Sequence, residues 1–250
     1  MSGLSASTGR IDAHLVAAGK YHDIDFARLE LLKLLAEHPR IRTSVANNYS
    51  DTTRLDACSV LISYTCDLLP SEAEVAAIRS WLERGGRWLA LHGTNSILEF
   101  TEAGVATPPR RPDLMELLGT QFKAHPPIGA FEVEVVERDH DLCLGIDDFE
   151  VVDELYLSTT LSQIRTLMQT RFTGEATGFV DANWRDAVAP ILYLRDVGQG
   201  RILYNTLGHC RGHYDLPTMA PFYPHPERCA WNYPVYYELL RRGLRWATEG

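Results

Sequence analysis

The 250-residue sequence predicts an α/β protein with a doubly wound, mostly parallel β-sheet. Strand-like and helix-like segments alternate in the first part of the chain, as they do when helices connect parallel strands. The segment CSVLISY, residues 58–64, forms a continuous apolar run, which favours a strand covered by helices on both faces. Strand-like segments then predominate, so we expect a strand-rich elaboration in the second half.

The first half contributes two helices and four strands. Apolar residues recur with helical spacing between residues 26 and 35, and Pro39 ends this helix. Ser71 and Glu74 are spaced as a capping box at the start of the second helix, which the glycine pair 85–86 ends. The strands are predicted at residues 11–18, 41–45, 57–64 and 87–91.

The second half begins with a Pro-rich loop at residues 105–113 and a short helix at 114–118. Glycines at the G-Q-G turn, residues 198–200, join the last two strands in a hairpin, and residues 236–247 form an amphipathic helix. Residues 1–9 are small and polar and predict a disordered tail, which leaves residues 10–250 as a single domain. Further strands are predicted at residues 128–136, 150–157, 164–172, 189–194 and 201–206.

Charge and composition exclude several classes of protein. The 33 acidic and 24 basic side chains give a formal net charge of -9, which repels nucleic acid and anionic lipid. Apolar runs fall far short of the roughly 20 residues that a membrane span needs. The five cysteines are an odd number without tight spacing, which is typical of reduced thiols. We therefore expect a cytoplasmic protein that binds neither nucleic acid nor membrane.

Two polar clusters follow strands one and four of the predicted sheet. The carboxyl ends of two parallel strands near the sheet centre lie within about 10 Å of each other, so His22 and His92 are expected to face one cleft. Histidine at such a position can act as an acid, a base or a metal ligand. The alternative is that the imidazole of His92 has no chemical role and only forms hydrogen bonds with the backbone of its loop. The clusters comprise Tyr21, His22, Asp23, His92, Thr94 and Asn95.

The motif GHCRGH places His209 and His213 four residues apart. A helical conformation would point both rings the same way, as zinc ligands on a helix do, but the two glycines of the motif weaken that assumption. With His22 and His92, these residues predict a site for a divalent metal such as zinc. The alternative is a histidine cluster without metal, held together by hydrogen bonds.

An acidic pair, Asp153 and Glu154, lies in a predicted strand next to Tyr156. Because neighbouring residues of a strand point to opposite faces, only one of the two carboxylates is expected to face a cleft. That carboxylate would serve as acid, base or ligand, and the other would be solvated. The sequence leaves open which one faces the cleft.

Five longer motifs follow one another along residues 10–213: YHD, TCDLLPSEAEV, WLERGGRWLALHGT, FEVVDELY and GRILYNTLGH. In their order and spacing they resemble the ThuA-like (trehalose utilisation) family. KAHP at 123–126 and DHDL at 139–142 also resemble HP-containing segments of that family, although Asp141 stands where the family often has proline.

The resemblance implies a flavodoxin-like fold similar to that of class I glutamine amidotransferases. It places His92 where those enzymes carry their cysteine, so glutamine amidotransferase activity is expected to be absent. It implies action on a disaccharide, trehalose or a 3-keto sugar, by acid/base chemistry in which either a divalent metal or a protonated histidine stabilises the enediolate. The residues that the resemblance places at the site are His22, His92, His209, Asp153 and Glu154 for catalysis, and Tyr21, Asp23, Thr94, Asn95 and Tyr156 for substrate binding.

The sequence is therefore compatible with two functions. The first is a carbohydrate-active hydrolase, lyase or isomerase, and the second is a non-catalytic sugar-binding or regulatory module. The expected partner in both is a small carbohydrate. Aromatic residues crowd the segment 222–237, which predicts either packing on the core or an interface of a homo-oligomer.

Overall fold

In the computed structural model, which describes residues 9–212 and 225–249, strands and helices alternate at first and strands predominate afterwards. The strands are β1 (Ile11–Gly19), β2 (Ile41–Ala46), β3 (Val60–Cys66), β4 (Arg87–Leu91), β5 (Glu99–Thr101), β6 (Gly104–Ala106), β7 (Thr120–Ala124), β8 (Gly129–Val135), β9 (Phe149–Asp153), β10 (Leu157–Thr160), β11 (Arg165–Glu175), β12 (Asn183–Val197) and β13 (Gly200–Asn205). The α-helices are α1 (Ile24–Ala36), α2 (Thr52–Ala57), α3 (Glu72–Glu83), α4 (Pro112–Leu118) and α5 (Pro234–Glu249).

The central sheet has nine strands in the order β2-β1-β3-β4-β13-β12-β11-β8-β9. The first five are parallel to one another, and each of the last four is antiparallel to its neighbours. Numbered along the chain, the parallel strands follow the order 2-1-3-4-5, which is that of flavodoxin-like sheets. The mixed α/β class is confirmed, and the strand-rich second half extends the same sheet.

Helices cover both faces of the parallel strands. Residues of α1 and α5 belong to one hydrophobic core, and residues of α2, α3 and α4 belong to the other. Successive residues of β3 alternate between the two: Ile62 and Tyr64 face the first core, and Leu61 faces the second. This double burial explains why β3 is apolar over its length. Of the described helices, none has the length and apolarity needed to cross a bilayer.

The prediction of a strand at residues 57–64 is wrong at its start. Residues up to Ala57 form the short helix α2, which Asp51 caps by accepting a hydrogen bond from the backbone N–H of Arg54 at 2.8 Å. The strand begins only at Val60. Helix α2 spans too few turns for an apolar periodicity to reveal it. The longer helix α3, in contrast, begins with the predicted capping box of Ser71 and Glu74.

Two other predicted segments need correction, and one strand was missed. Residues 150–157 form the end of β9 and the start of β10, which lie in different sheets. The loop at 105–113 includes the end of β6, which pairs with β5 in a small hairpin, and the start of α4. The strand β7 was not predicted, and it pairs with β10. Of the predicted tail 1–9, residues 1–8 lie outside the described residues.

Four carboxyl ends of strands meet at one edge of the central sheet. Strands β1, β4 and β13 are parallel, so their carboxyl ends share that edge. From β13 the direction reverses at each of the next four strands, and β9 therefore runs the same way as β13. The sheet thus brings together residues that are far apart in the chain.

Candidate active site

A cluster of three histidines and one glutamate lies at this edge. His22 follows β1, His92 follows β4, Glu154 follows β9 and His209 follows β13. All four side chains are buried, with at most 4% of their surface exposed. One donor atom from each lies within 4.8 Å of the others, so the four residues could hold a metal ion. We refer to these four residues as the histidine cluster.

The imidazole rings of the cluster contact one another directly. Nε2 of His22 lies 2.8 Å from Nε2 of His92. The ring centroid of His209 lies 4.9 Å from that of His22 and 5.6 Å from that of His92. The predicted pair of His22 and His92 in one cleft thus has its rings in contact, and His209 joins them.

The carboxylate of Glu154 lies between the histidines of the cluster and two further basic side chains, those of His125 and Arg211. Its Oε2 lies 3.2 Å from Nδ1 of His209 and 3.5 Å from Nε2 of His92, and its Oε1 lies 3.2 Å from Nε2 of His125. Burial favours the neutral acid, but the charges of His125 and His209 outweigh burial and hold the pKa of Glu154 well below its usual value. Glu154 is therefore a buried carboxylate.

The pKa values of two of the rings are shifted in opposite directions. Burial, followed by the proximity of His92 and His209, lowers the pKa of His22 well below its usual value. Burial also disfavours the charged form of His209, but the charge of Glu154 and contacts with Glu154 and Glu227 outweigh it and raise the pKa of His209 to about 9. The cluster thus holds a neutral imidazole next to a ring that carries charge in the absence of a bound cation.

Asp153 is also buried, and its carboxylate binds the backbone of the segments that carry Glu154 and His209. Its carboxylate accepts hydrogen bonds from the backbone N–H groups of Gly208 at 2.7 Å, His209 at 3.0 Å and Glu154 at 2.8 Å. The prediction that one carboxylate of the pair is solvated is wrong. Because β9 ends at Asp153, the alternation of a strand does not extend to Glu154, and both side chains point inward.

The turn after β4 places His92 in a conformation that few side chains adopt. His92 has a φ of +41°, and its N–H at Nδ1 donates to the carbonyl of Thr206 at 2.8 Å. The next residue must be glycine, because a Cβ on Gly93 would lie 2.7 Å from the carbonyl oxygen of Thr65. This sharp strand-to-turn geometry is that of a nucleophile elbow, with histidine in place of the nucleophile.

A cavity of about 120 Å³ opens onto the cluster. Of the residues predicted to bind substrate, Tyr21 and Tyr156 line it, together with His22 and Glu154. Larger depressions of about 450 Å³ lie on the surface, for instance around residues 136–141, but their linings contain no member of the histidine cluster.

The other residues predicted to bind substrate do not line this cavity. Asp23 accepts a hydrogen bond from the N–H of Phe26 as the cap of α1. Thr94 donates to the carbonyl of Leu91, and Asn95 donates from Nδ2 to Thr120. These contacts stabilise the loops that carry His22 and His92, so we assign the three residues to loop structure.

Two basic residues at the cavity were missed by sequence reasoning. His125 and Arg211 both line it, and both approach Oε1 of Glu154, at 3.2 Å and 3.7 Å. His125 belongs to the motif KAHP, which resembles a segment of the ThuA-like family, and Arg211 belongs to GHCRGH, which was singled out for its two histidines. The aromatic wall of Phe100, Phe122 and Phe179 was missed as well.

The segment GHCRGH is not helical where the structure describes it, so the condition for pairing two histidines on a helix is not met there. Residues 207–210 are irregular, and Arg211 forms an isolated antiparallel bridge with Glu227. His213, predicted as a metal ligand, lies outside the described residues, as do Phe222 and Tyr223 of the aromatic segment. Trp231 and Tyr236 from that segment are buried in the core.

A comparison with models of known protein families shows which family the chain belongs to. The sequence model of the trehalose utilisation family, ThuA, matches residues 15–222. The chain belongs to the ThuA family. The matched span contains every residue of the histidine cluster as well as His125 and Arg211. The resemblance expected from the sequence motifs is confirmed, and family membership supports a role in carbohydrate utilisation.

Solved structures agree with this assignment. A ThuA-like protein from Bacteroides uniformis is 17% identical, with a TM-score of 0.67 over 99% of this chain and 95% of its own. A ThuA-like protein from Parabacteroides merdae is 15% identical, with a TM-score of 0.64 over 95% of this chain and 90% of its own. At these identities the likeness concerns the fold. No curated protein sequence matched the chain.

Proposed function

We propose that this ThuA-family protein is an enzyme of sugar catabolism that acts by acid/base chemistry on a disaccharide, trehalose or its 3-keto derivative, at the histidine cluster. The observation that carries the proposal is the Glu154 carboxylate, buried beside three imidazoles at the inner end of a cavity. Burying an ionised carboxylate costs free energy, and strongly perturbed groups of this kind concentrate at functional sites. Family membership supports carbohydrate as the substrate class.

The two oxygens of Glu154 have different neighbours, which suggests a division of labour. Oε2 faces the imidazoles, whereas Oε1 faces His125 and Arg211, which line the cavity. We assign Oε1 as the base that receives a proton from the substrate. The side chain of His125 is 25% exposed, against 4% for Glu154, so His125 can release its own proton to solvent and then take up the proton from Glu154.

A keto sugar gives this base an acidic proton to remove. Loss of the proton from the carbon between the ketone and the anomeric carbon leaves the electron pair on the carbonyl oxygen, as an enediolate. Return of a proton to the former carbonyl carbon moves the ketone to its neighbour, whereas expulsion of the glycosidic oxygen from the anomeric carbon breaks the disaccharide. Both outcomes begin with the same proton transfer, and Arg211 and the imidazoles can stabilise the developing negative charge.

The size of the cavity indicates how much of the substrate it holds. Ligand pockets usually measure roughly 300 Å³ or more, so about 120 Å³ suits the reacting end of a sugar rather than a whole disaccharide. Tyr21 and Phe100 meet edge to face at 5.8 Å, and Phe100 is 68% exposed. We assign this aromatic pair to contact with the apolar face of the outer sugar unit.

The elbow after β4 supports kinship with class I glutamine amidotransferases, but it carries His92, which offers no thiol to attack glutamine. We therefore propose that glutamine amidotransferase activity is absent.

Five buried free cysteines support a reducing compartment, the cytoplasm.

The test is incubation of the protein with trehalose and with 3-keto trehalose, each with and without added divalent metal, followed by mass spectrometry. We expect the keto sugar to be consumed, giving either an isomer separable by chromatography or the two fragments of the disaccharide. A protein-free incubation serves as the control for spontaneous decay. Saturable binding of either sugar without product over a long incubation would contradict the enzyme proposal and favour a sugar-binding or regulatory module.

A further inference from the structure

The three imidazoles of the histidine cluster each have an outward partner that fixes one ring nitrogen. A carbonyl oxygen only accepts, so Nδ1 of His22 donates to Lys20 at 3.1 Å and Nδ1 of His92 donates to Thr206 at 2.8 Å. Nε2 of His209 lies 3.2 Å from a carboxylate oxygen of Glu227. In metal sites, ligating histidines donate their second ring N–H to carbonyls and carboxylates in the same way.

The inward nitrogens of His22 and His92 face each other directly. In neutral rings protonated at Nδ1, the Nε2 atoms of His22 and His92 both present lone pairs, and they lie only 2.8 Å apart. Nδ1 of His209 is also buried and makes no hydrogen bond with the described residues, although Oε2 of Glu154 is 3.2 Å away. A cation among these atoms would remove the lone-pair repulsion and would be shared by Nδ1 of His209 and Oε2 of Glu154, which already contact each other at 3.2 Å.

The spacing of the donor atoms suits such a cation. Four donors held tetrahedrally by zinc bonds of 2.0–2.1 Å lie about 3.3 Å apart. Oε2 of Glu154 lies 3.2 Å from the nearest atom of His209, 3.5 Å from that of His92 and 3.9 Å from that of His22. Together with 2.8 Å between His22 and His92, these separations lie on both sides of the tetrahedral value.

We propose that His22, His92, His209 and Oε2 of Glu154 bind a divalent first-row transition-metal ion. Three nitrogens and one carboxylate suit zinc and its neighbours, whereas calcium and magnesium prefer oxygen throughout. The ion takes the place of any proton on the inward nitrogen of His209. The assignment replaces the sequence-based set that included His213.

The site lies where a metal ion would assist the proposed reaction. His22 and Glu154 line the cavity, so the inner end of a substrate would meet the ion there. A bound metal ion acts as a Lewis acid that polarises a carbonyl oxygen. This role for the ion rests on the proposed function, whereas the binding of the ion rests only on the four side chains.

The test measures metal binding without substrate. Protein purified without chelators is analysed for its metal content, then stripped with a chelator and titrated with Zn²⁺ in competition with a chromophoric chelator. We expect close to one ion per chain, and Co²⁺ in place of Zn²⁺ should give the visible absorption of a four-coordinate site. His92→Ala should weaken Zn²⁺ binding by at least roughly 100-fold, because loss of a ligand costs more than loss of its outer partner.

Two variants keep the result interpretable. Glu154→Gln preserves the shape of the side chain and should weaken Zn²⁺ binding by about tenfold or more. His14→Ala is the matched control, because the His14 ring is equally buried but contacts Ser44, and it should bind Zn²⁺ like the wild type. Circular dichroism and a melting curve show whether each variant folds.

Folded wild-type protein with no Zn²⁺ bound at micromolar concentration would overturn the inference. Equal Zn²⁺ affinity in the wild type and in folded His92→Ala and Glu154→Gln would also overturn it, because the ion would then lie elsewhere. These measurements need no sugar, so a lack of turnover alongside stoichiometric metal binding contradicts the proposed function and leaves the metal site standing.

Discussion

The Glu154→Gln variant is expected to turn over 3-keto trehalose about 10²- to 10⁴-fold more slowly than the wild type, the range for loss of a general base. The amide has the shape of the carboxylate but accepts no proton at neutral pH. It also removes the negative charge that His125 and His209 contact. Initial rates at saturating substrate, followed by mass spectrometry, measure the effect.

Glu150→Gln is the matched control for this variant. Glu150 lies on β9, the strand that carries Glu154 at its end, and its side chain is exposed. It should turn over the sugar at the wild-type rate. A Glu154→Gln protein that folds, as judged by its melting curve, and retains more than a tenth of the wild-type rate would contradict the assignment of Glu154 as the base.

The Asp153→Ala variant is expected to lose about 3–5 kcal/mol of unfolding free energy. Its carboxylate accepts hydrogen bonds from three buried backbone N–H groups, those of Glu154, Gly208 and His209. Alanine leaves these donors unsatisfied, and each unsatisfied buried group costs about 1–3 kcal/mol. Urea denaturation followed by circular dichroism gives the free energy of unfolding.

Asp153→Asn separates hydrogen bonding from charge in this test. The asparagine side chain keeps one acceptor oxygen, so it should lose clearly less unfolding free energy than alanine does. The Asp153→Ala variant should also lose turnover, because the donors include the backbone of two members of the histidine cluster. A loss of less than about 1 kcal/mol in Asp153→Ala would show that these hydrogen bonds do not hold the site together.

The strand pattern was sufficient to place His22 and His92 at one edge of the sheet, and the family resemblance added His209. Each follows a strand of the parallel layer, and the carboxyl ends of parallel strands lie side by side. The apolar runs of β3 and β4 and the capping box of α3 identified those elements because their patterns are local. Prediction succeeded where the chemistry of a short segment determines its conformation.

The role of Glu154 needed the structure. From the sequence, Asp153 and Glu154 appear as adjacent strand residues on opposite faces, but β9 ends at Asp153 and the chain then turns. The end of this strand depends on its pairing with β8, in which Gly129 is opposite Asp153. Such long-range pairing leaves no mark in the local pattern of residues.

The cavity walls were hidden for the same reason. His125 follows β7, whose place is set by pairing with β10, and Phe179 lies near the cluster because it bridges to Val105 in β6. Strands of three residues, such as the exposed β5 and the half-buried β6, are too short for an apolar alternation to reveal them. Residues placed by contacts between distant segments are therefore the ones that sequence reasoning missed.

Proton transfer to Glu154 from the carbon beside a ketone is the step on which the account depends. It is measured most directly by incubating 3-keto trehalose with the wild-type protein in D₂O and following deuterium incorporation by mass spectrometry. We predict that the wild-type protein either introduces one deuterium at that carbon or in the isomer formed from it, or cleaves the disaccharide, faster than buffer does, and that Glu154→Gln does neither above the buffer rate. Deuterium uptake and cleavage both at the buffer rate with the wild-type protein, or equal rates with both proteins, would contradict the account.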